Sequence, residues 1–234
     1  MTALIRKELK EYFLYPVGYI FMSIFCALSA FFFFSSIIVQ NTSNISAFFQ
    51  TLFMVIILLT PILTMRLFSE EYKLHTDQLL FCSPAKITEI VLGKYISALI
   101  MFIAATSINL IYVIVVCLFA KISLSLIIGC LLGTTLLGAS LISIGIFISS
   151  KTESQIISAF GSFGVFLIFV FIEALSQYMP FDWLKTFINS LAIMPKYSNL
   201  ISGILNISDI LYFISIIVIF VFLTVQTLEK KRWN

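Results

Sequence analysis

Six stretches of the chain carry apolar side chains almost without interruption, separated by short polar segments. They cover residues 17–39, 48–65, 95–119, 124–149, 156–175 and 207–227. A bilayer core about 30 Å thick takes roughly 20 residues of apolar helix, so each run predicts a membrane-crossing helix. The second is the shortest, and Pro61 near its end predicts a kink whose freed carbonyl neighbouring helices must satisfy. Ahead of the first run the pattern becomes two-sided at helical spacing. Leu4, Ile5, Leu9, Tyr12 and Phe13 share one face, with Lys7, Glu8, Lys10 and Glu11 elsewhere. Residues 1–15 therefore predict an amphipathic helix in the membrane interface, from which Pro16 turns the chain into the bilayer. The simpler alternative is a positively charged flank to the first span.

Composition strengthens this pattern. Hydrophobic residues make up 61% of the 234 and charged residues 11%. Mean hydropathy is +1.12. Soluble domains carry about 25% charged residues, so the fold class is an all-α integral membrane protein. The net charge of +3 is not gathered into a basic patch, and nucleic acid is not an expected partner. Cys26, Cys82, Cys117 and Cys130 show no metal-ligand spacing and read as small apolar residues.

The basic residues predict orientation. With the N-terminus in the cytoplasm, eleven of the fourteen lysines and arginines fall inside; only Lys121, Lys185 and Lys196 fall outside. Six spans then return the C-terminus to the cytoplasm. The expected location is a cell membrane, a bacterial inner or plasma membrane, with lipid as a partner.

Two segments between spans stand out. Residues 66–94 form a charged island holding Arg66, Glu70, Glu71, Lys73, Asp77, Lys86, Glu89 and Lys94. A helix is expected to continue from the second span to Leu74, with a stop near His75. Thr76 then caps a short helix with Asp77 in its first turn and Leu79, Leu80 and Phe81 for burial. Ser83-Pro84 resembles a cap followed by proline at the first helical position, from which a helix runs through Glu89 and Lys94 into the third span. A soluble partner gripping Leu79 and Leu80 fits this arrangement; a solvated hairpin is the plainer alternative. Residues 176–206 are broken by Pro180, Asp182, Lys185, Pro195 and Lys196 and carry interfacial aromatic types. Short helices entering the outer leaflet and an aromatic-anchored surface loop fit equally. Glu173, near the outer end of the fifth run, is a possible intramembrane polar site or a headgroup-level residue.

Several chemistries have no residues to carry them. Gly93-Lys94 lacks the upstream glycine and the hydroxyl residue of a phosphate-binding loop. The sequence has one histidine, and no Gly-x-Ser-x-Gly elbow is present. The runs hold almost no acids for proton or sodium coupling. The chain reads as a membrane unit that takes its energy from another protein, and not as an enzyme.

In the charged island, Glu71, Thr76, Leu80 and Pro84 keep the spacing of a Glu-x-x-x-Gly-Thr-x-x-x-Leu-x-x-x-Pro pattern, closed by Val91-Leu92-Gly93-Lys94. Here the sequence resembles the permease subunits of ABC-2 type ATP-binding-cassette transporters. Lys7-Glu8-Leu9-Lys10-Glu11-Tyr12-Phe13 followed by Pro16-Val17-Gly18-Tyr19-Ile20 is similar to the branch labelled gliding-motility permeases. His75 stands where the family has glycine, so the turn there is expected to differ. The resemblance implies one transmembrane domain over residues 1–234, with a cytoplasmic coupling region at 66–94 and an extracellular region at 176–206. It implies an exporter permease that pairs with a second permease copy or a homologue. Two ATPase subunits would bind the ATP and magnesium, leaving this chain without a cofactor. The implied ATPase-coupling residues are Glu70, Glu71, Thr76, Asp77, Leu79, Leu80, Pro84 and Lys94. The alternative is a scaffold or regulator that pairs with the same ATPase without transport.

Overall fold

The computed structural model describes residues 2–14, 16–74, 86–120, 122–176 and 192–233. Every regular element among them is helical. In chain order these are α1 (Thr2–Leu14), α2 (Pro16–Phe33, continued by a π-helical segment Phe34–Val39), α3 (Ile45–Thr64), α4 (Ser69–Lys73), α5 (Ile87–Thr106), α6 (Ile108–Phe119), α7 (Leu124–Ser149), α8 (Gln155–Ser176), α9 (Ile193–Ile201) and α10 (Ile207–Trp233). Six helical stretches are long and apolar enough to cross a membrane, and they coincide with the six expected runs.

The spans differ in how they are used. The most apolar windows of the second and fourth are 61% and 67% buried, against 22%, 17% and 22% for the first, fifth and sixth. Helices α3 and α7 therefore form the centre of the bundle, and the others turn apolar side chains outward, as lipid contact requires. Helix α7 packs against α3, α5, α8, α9 and α10. It does so with small residues: Gly129, Gly133, Ser140, Ser143 and Ser149 are all buried. Close approach of small residues is the main source of helix association where lipid is as apolar as leucine. A side chain at Gly129 would fall on the Leu200 carbonyl oxygen of α9. Backbone cannot yield as a rotamer can. Gly129→Leu is expected to lower stability by about 3 kcal/mol, read as a lower denaturation midpoint in detergent.

The helix expected to continue from the second span to Leu74 stops at Thr64 and resumes only over Ser69–Lys73, and two spans are themselves less regular than expected. The third was expected as one helix and breaks between Thr106 and Ile108. The Thr106 and Ser107 hydroxyls both donate to the Ile103 carbonyl, at 3.1 and 2.7 Å. In the first span Ser35 and Ser36 both donate to the Phe32 carbonyl, just before the π-helical segment. Paired hydroxyls that bond back to the helix compete with its own ladder and bend it. Helix α3 opens on Asn44, whose side chain accepts from the Ala47 N–H at 3.3 Å.

The helix entering the third span starts later than expected. It begins at Ile87, and Lys86 is extended (φ −71°, ψ 145°). A helix running on from Pro84 is excluded, because Lys86 interrupts it. The Lys86 carbonyl instead accepts the Glu89 and Ile90 N–H groups as the first turn forms. Residues Ser83 and Pro84 themselves lie outside the described residues.

Both chain ends lie at one end of the bundle. Helix α1 packs along α5, and the Lys231 ammonium near the end of α10 sits 3.3 Å from the centroid of the Tyr72 ring in α4. At the opposite end α9 packs among α3, α7, α8 and α10. Pro195 occupies the first turn of α9, where its missing N–H has no intrahelical acceptor to lose. Gly203 (φ +82°) closes α9, with its own N–H on Leu200 and the Ile204 N–H on Asn199. Of the segment 176–206, residues 193–201 are thus helical, and residues 177–191 lie outside the described residues.

Candidate functional site: a buried ion triad at the base of the second and third spans

Lys94 stands about two turns into α5, where the apolar third span begins, and is only 1% exposed. Its ammonium contacts two carboxylates: Glu8 of α1 at 2.9 Å and Glu71 of α4 at 2.7 Å. The Phe68 ring lies beneath it, 5.1 Å from the nitrogen to the centroid. A buried ammonium is tolerable only when paired and hydrogen-bonded, and here both acids bond it directly. One cation therefore ties three separate elements together: the N-terminal helix, the segment leaving the second span and the helix entering the third.

The surroundings fix each partner. Helix α1 turns Leu4, Glu8 and Tyr12, spaced four apart, toward the bundle, and Leu4 lies against Gly93. Tyr12 donates from its hydroxyl to the Leu63 carbonyl at 3.1 Å. That carbonyl lacks its usual helical donor, because the Leu67 N–H bonds Thr64 where α3 ends. Burial and the neighbouring Glu8 carboxylate push the Tyr12 phenol well above its ordinary range, so it remains a donor. Tyr12→Phe removes this donor and is expected to cost about 1 kcal/mol, measured by denaturant unfolding in detergent.

The bend between α3 and α4 is stitched to the centre of the bundle. The Ser149 hydroxyl of α7 accepts the Phe68 and Ser69 N–H groups at 3.1 and 3.2 Å and donates to the Met65 carbonyl at 3.3 Å. One turn on, Arg66 holds Glu70 in a two-pronged bond, the second contact being 2.6 Å. A cavity of about 210 Å³ opens beside the triad, with Lys7, Glu11, Arg66 and Glu70 on its walls.

Among the expected coupling residues, Glu71 and Lys94 meet in this triad, and Glu70 joins Arg66 alongside. Thr76, Asp77, Leu79, Leu80 and Pro84 lie outside the described residues, as does His75. The charges of Lys94 and Glu71 are spent inside the protein, so their part in any coupling is to hold elements together. Glu8 is the residue that sequence reading missed. The helical pattern places it off the apolar face of α1, yet it is 4% exposed. The signal was its position midway between Leu4 and Tyr12 on one row of the helix. Glu173 falls in the last turns of α8, and its side chain lies outside the described residues.

A second buried ion pair sits at the opposite end. Asp209, 2% exposed in the first turn of α10, accepts from Lys196 at 3.1 Å and from the Asn199 amide at 3.1 Å, both on α9. Tyr197 donates to the Phe49 carbonyl at 2.8 Å and stacks on Phe53. These contacts fasten α9 to α10 and α3, and they show that Lys196 is an anchoring cation within the fold.

No protein-family model matches the chain, and no curated protein matches it in sequence.

Proposed function

We propose that this chain is the membrane-spanning permease subunit of an ATP-binding-cassette exporter of ABC-2 type. In this reading a separate ATPase subunit hydrolyses ATP, and residues 66–94 carry the resulting movement into the spans. The observation that supports it most is the Glu8–Lys94–Glu71 triad. It clamps both flanks of residues 75–85 to the bases of the second and third spans and to α1. A push delivered to that segment would reach two spans at once, since a rigid joint transmits displacement where a loose hairpin absorbs it. Glu71 and Lys94 are also the first and last residues of the sequence pattern that resembles the family.

The orientation that follows has both termini and the triad on the cytoplasmic side of a bacterial inner or plasma membrane. Eleven of the fourteen basic residues favour this side. The permease would work as a dimer with a second copy or a homologous chain. The deciding experiment reconstitutes the chain with its ATPase in vesicles and measures solute movement. ATP-driven movement that stops when hydrolysis is blocked supports the permease. Intact hydrolysis with no movement of any solute from the native membrane contradicts it and favours a scaffold or regulator.

A further inference from the structure

The outward side of α1 carries a charge that the sequence conceals. Along this helix three cations (Arg6, Lys7, Lys10) accompany two acids (Glu8, Glu11), which reads as near balance. In the folded chain both acids are already engaged. Glu8 is turned inward to Lys94, and Glu11 pairs with Lys7 at 3.4 Å. Arg6 and Lys10, one turn apart, are exposed, and neither makes an ion pair among the described residues. Two like charges are thus left side by side on the outer face.

An apolar strip runs beside them. Ile5, Leu9, Phe13 and Leu14 line an open groove together with Arg6 and Lys10. Phe13 and Leu14 are 47% and 78% exposed. The Phe13 ring meets Tyr19 of α2 edge-on, 5.9 Å between centroids, and Tyr19 and Ile20 are themselves exposed. The strip is therefore continuous with the outward, apolar side of the first span. A free anion would match the two cations but leave this strip in water.

We propose that this face of α1 is a binding site for anionic phospholipid. Arg6 and Lys10 hold the phosphate of the headgroup, while Ile5, Leu9, Phe13 and Leu14 lie against the upper acyl chains. The inference is independent of the permease reading, since it needs only a bilayer around the six spans.

The test uses the full chain purified in detergent, offered phosphatidylglycerol or phosphatidylcholine with identical acyl chains, and counts retained lipid by native mass spectrometry. The wild type is expected to retain phosphatidylglycerol in preference. Arg6→Gln/Lys10→Gln is expected to weaken that retention about thirty-fold, and each single substitution about five-fold. Lys230→Gln, which removes one exposed cation elsewhere at the same end, is expected to leave it unchanged. Equal retention of the two lipids by the wild type would overturn the proposal, as would undiminished retention by the double variant. Displacement of the lipid by millimolar inorganic phosphate would reduce the site to a simple anion site. A change of oligomeric state in the double variant, with lipid retention kept, would assign the face to a second copy.

Discussion

Lys94→Met is expected to destabilise the protein by about 3–5 kcal/mol, the largest stability effect of any single change considered. Methionine matches the lysine stem in volume, so packing is preserved and the loss is electrostatic. Glu8 and Glu71 would be left facing one another, 4% exposed in the case of Glu8, with no cation between them. Both must then take up protons or admit water. Against a total stability of roughly 5–15 kcal/mol this is a large fraction. The damage should be local before it is global. Helix α1 is fastened by Glu8, by Tyr12 and by Leu4 against Gly93, and losing the first of these should let it lift away. Trypsin should then cut after Arg6, Lys7 or Lys10 at a substrate-independent, faster rate than in the wild type. The triple variant Glu8→Gln/Lys94→Met/Glu71→Gln removes every charge of the triad and should recover most of the loss, because no buried ion is left unpaired. Lys94→Met cleaved and unfolded like the wild type would mean that the triad does not hold the three elements together.

Leu80→Asp is expected to abolish ATP-driven transport while leaving the protein inserted and folded. The substitution puts a carboxylate on the apolar pair Leu79–Leu80 that the coupling reading assigns to the ATPase contact. A single charge buried unpaired in a protein interface costs several kcal/mol. That corresponds to a loss of association of a hundred-fold or more, since each 1.4 kcal/mol is a factor of ten. The membrane domain itself should keep its stability, because the triad and the Ser149 stitching lie on the flanks of the segment. This separates the two expectations: Lys94→Met acts through the fold, and Leu80→Asp acts through the partner.

The spans were legible from the sequence because burial in lipid imposes a long, unbroken apolar run that no other environment demands. All six recur as helices long and apolar enough to cross a membrane, and the even number agrees with both ends lying together, as the Lys231–Tyr72 contact and the Glu8–Lys94–Glu71 triad place them. The interruptions were harder to see. Ser35-Ser36 and Thr106-Ser107 are hydroxyl pairs inside apolar runs, and they mark the π-helical segment and the break in the third span. A mean hydropathy profile averages them away. The triad was invisible for a different reason. Glu8 and Lys94 are separated by 86 positions, and a pairing at that distance leaves no local pattern. Lys94 was singled out by its place in a motif, but as a residue facing a partner. What the sequence does contain is an acid on the apolar row of α1 and a lysine inside an apolar span. Each alone is costly, and together they satisfy one another. Asp209 and Lys196 repeat this lesson at the far end, where an acid in the first turn of a span finds a cation thirteen residues earlier.

The central claim is that this membrane domain is driven by an ATPase through residues 66–94. It is tested most directly by isolating the tagged chain from its native membrane and measuring ATP hydrolysis by the purified complex, with and without Leu80→Asp. The account predicts that the wild-type chain brings down an ATP-binding-cassette subunit and hydrolyses ATP, and that Leu80→Asp loses both while its denaturation midpoint is unchanged. A wild-type chain that purifies without any ATPase, or a Leu80→Asp variant that keeps full hydrolysis, would contradict it.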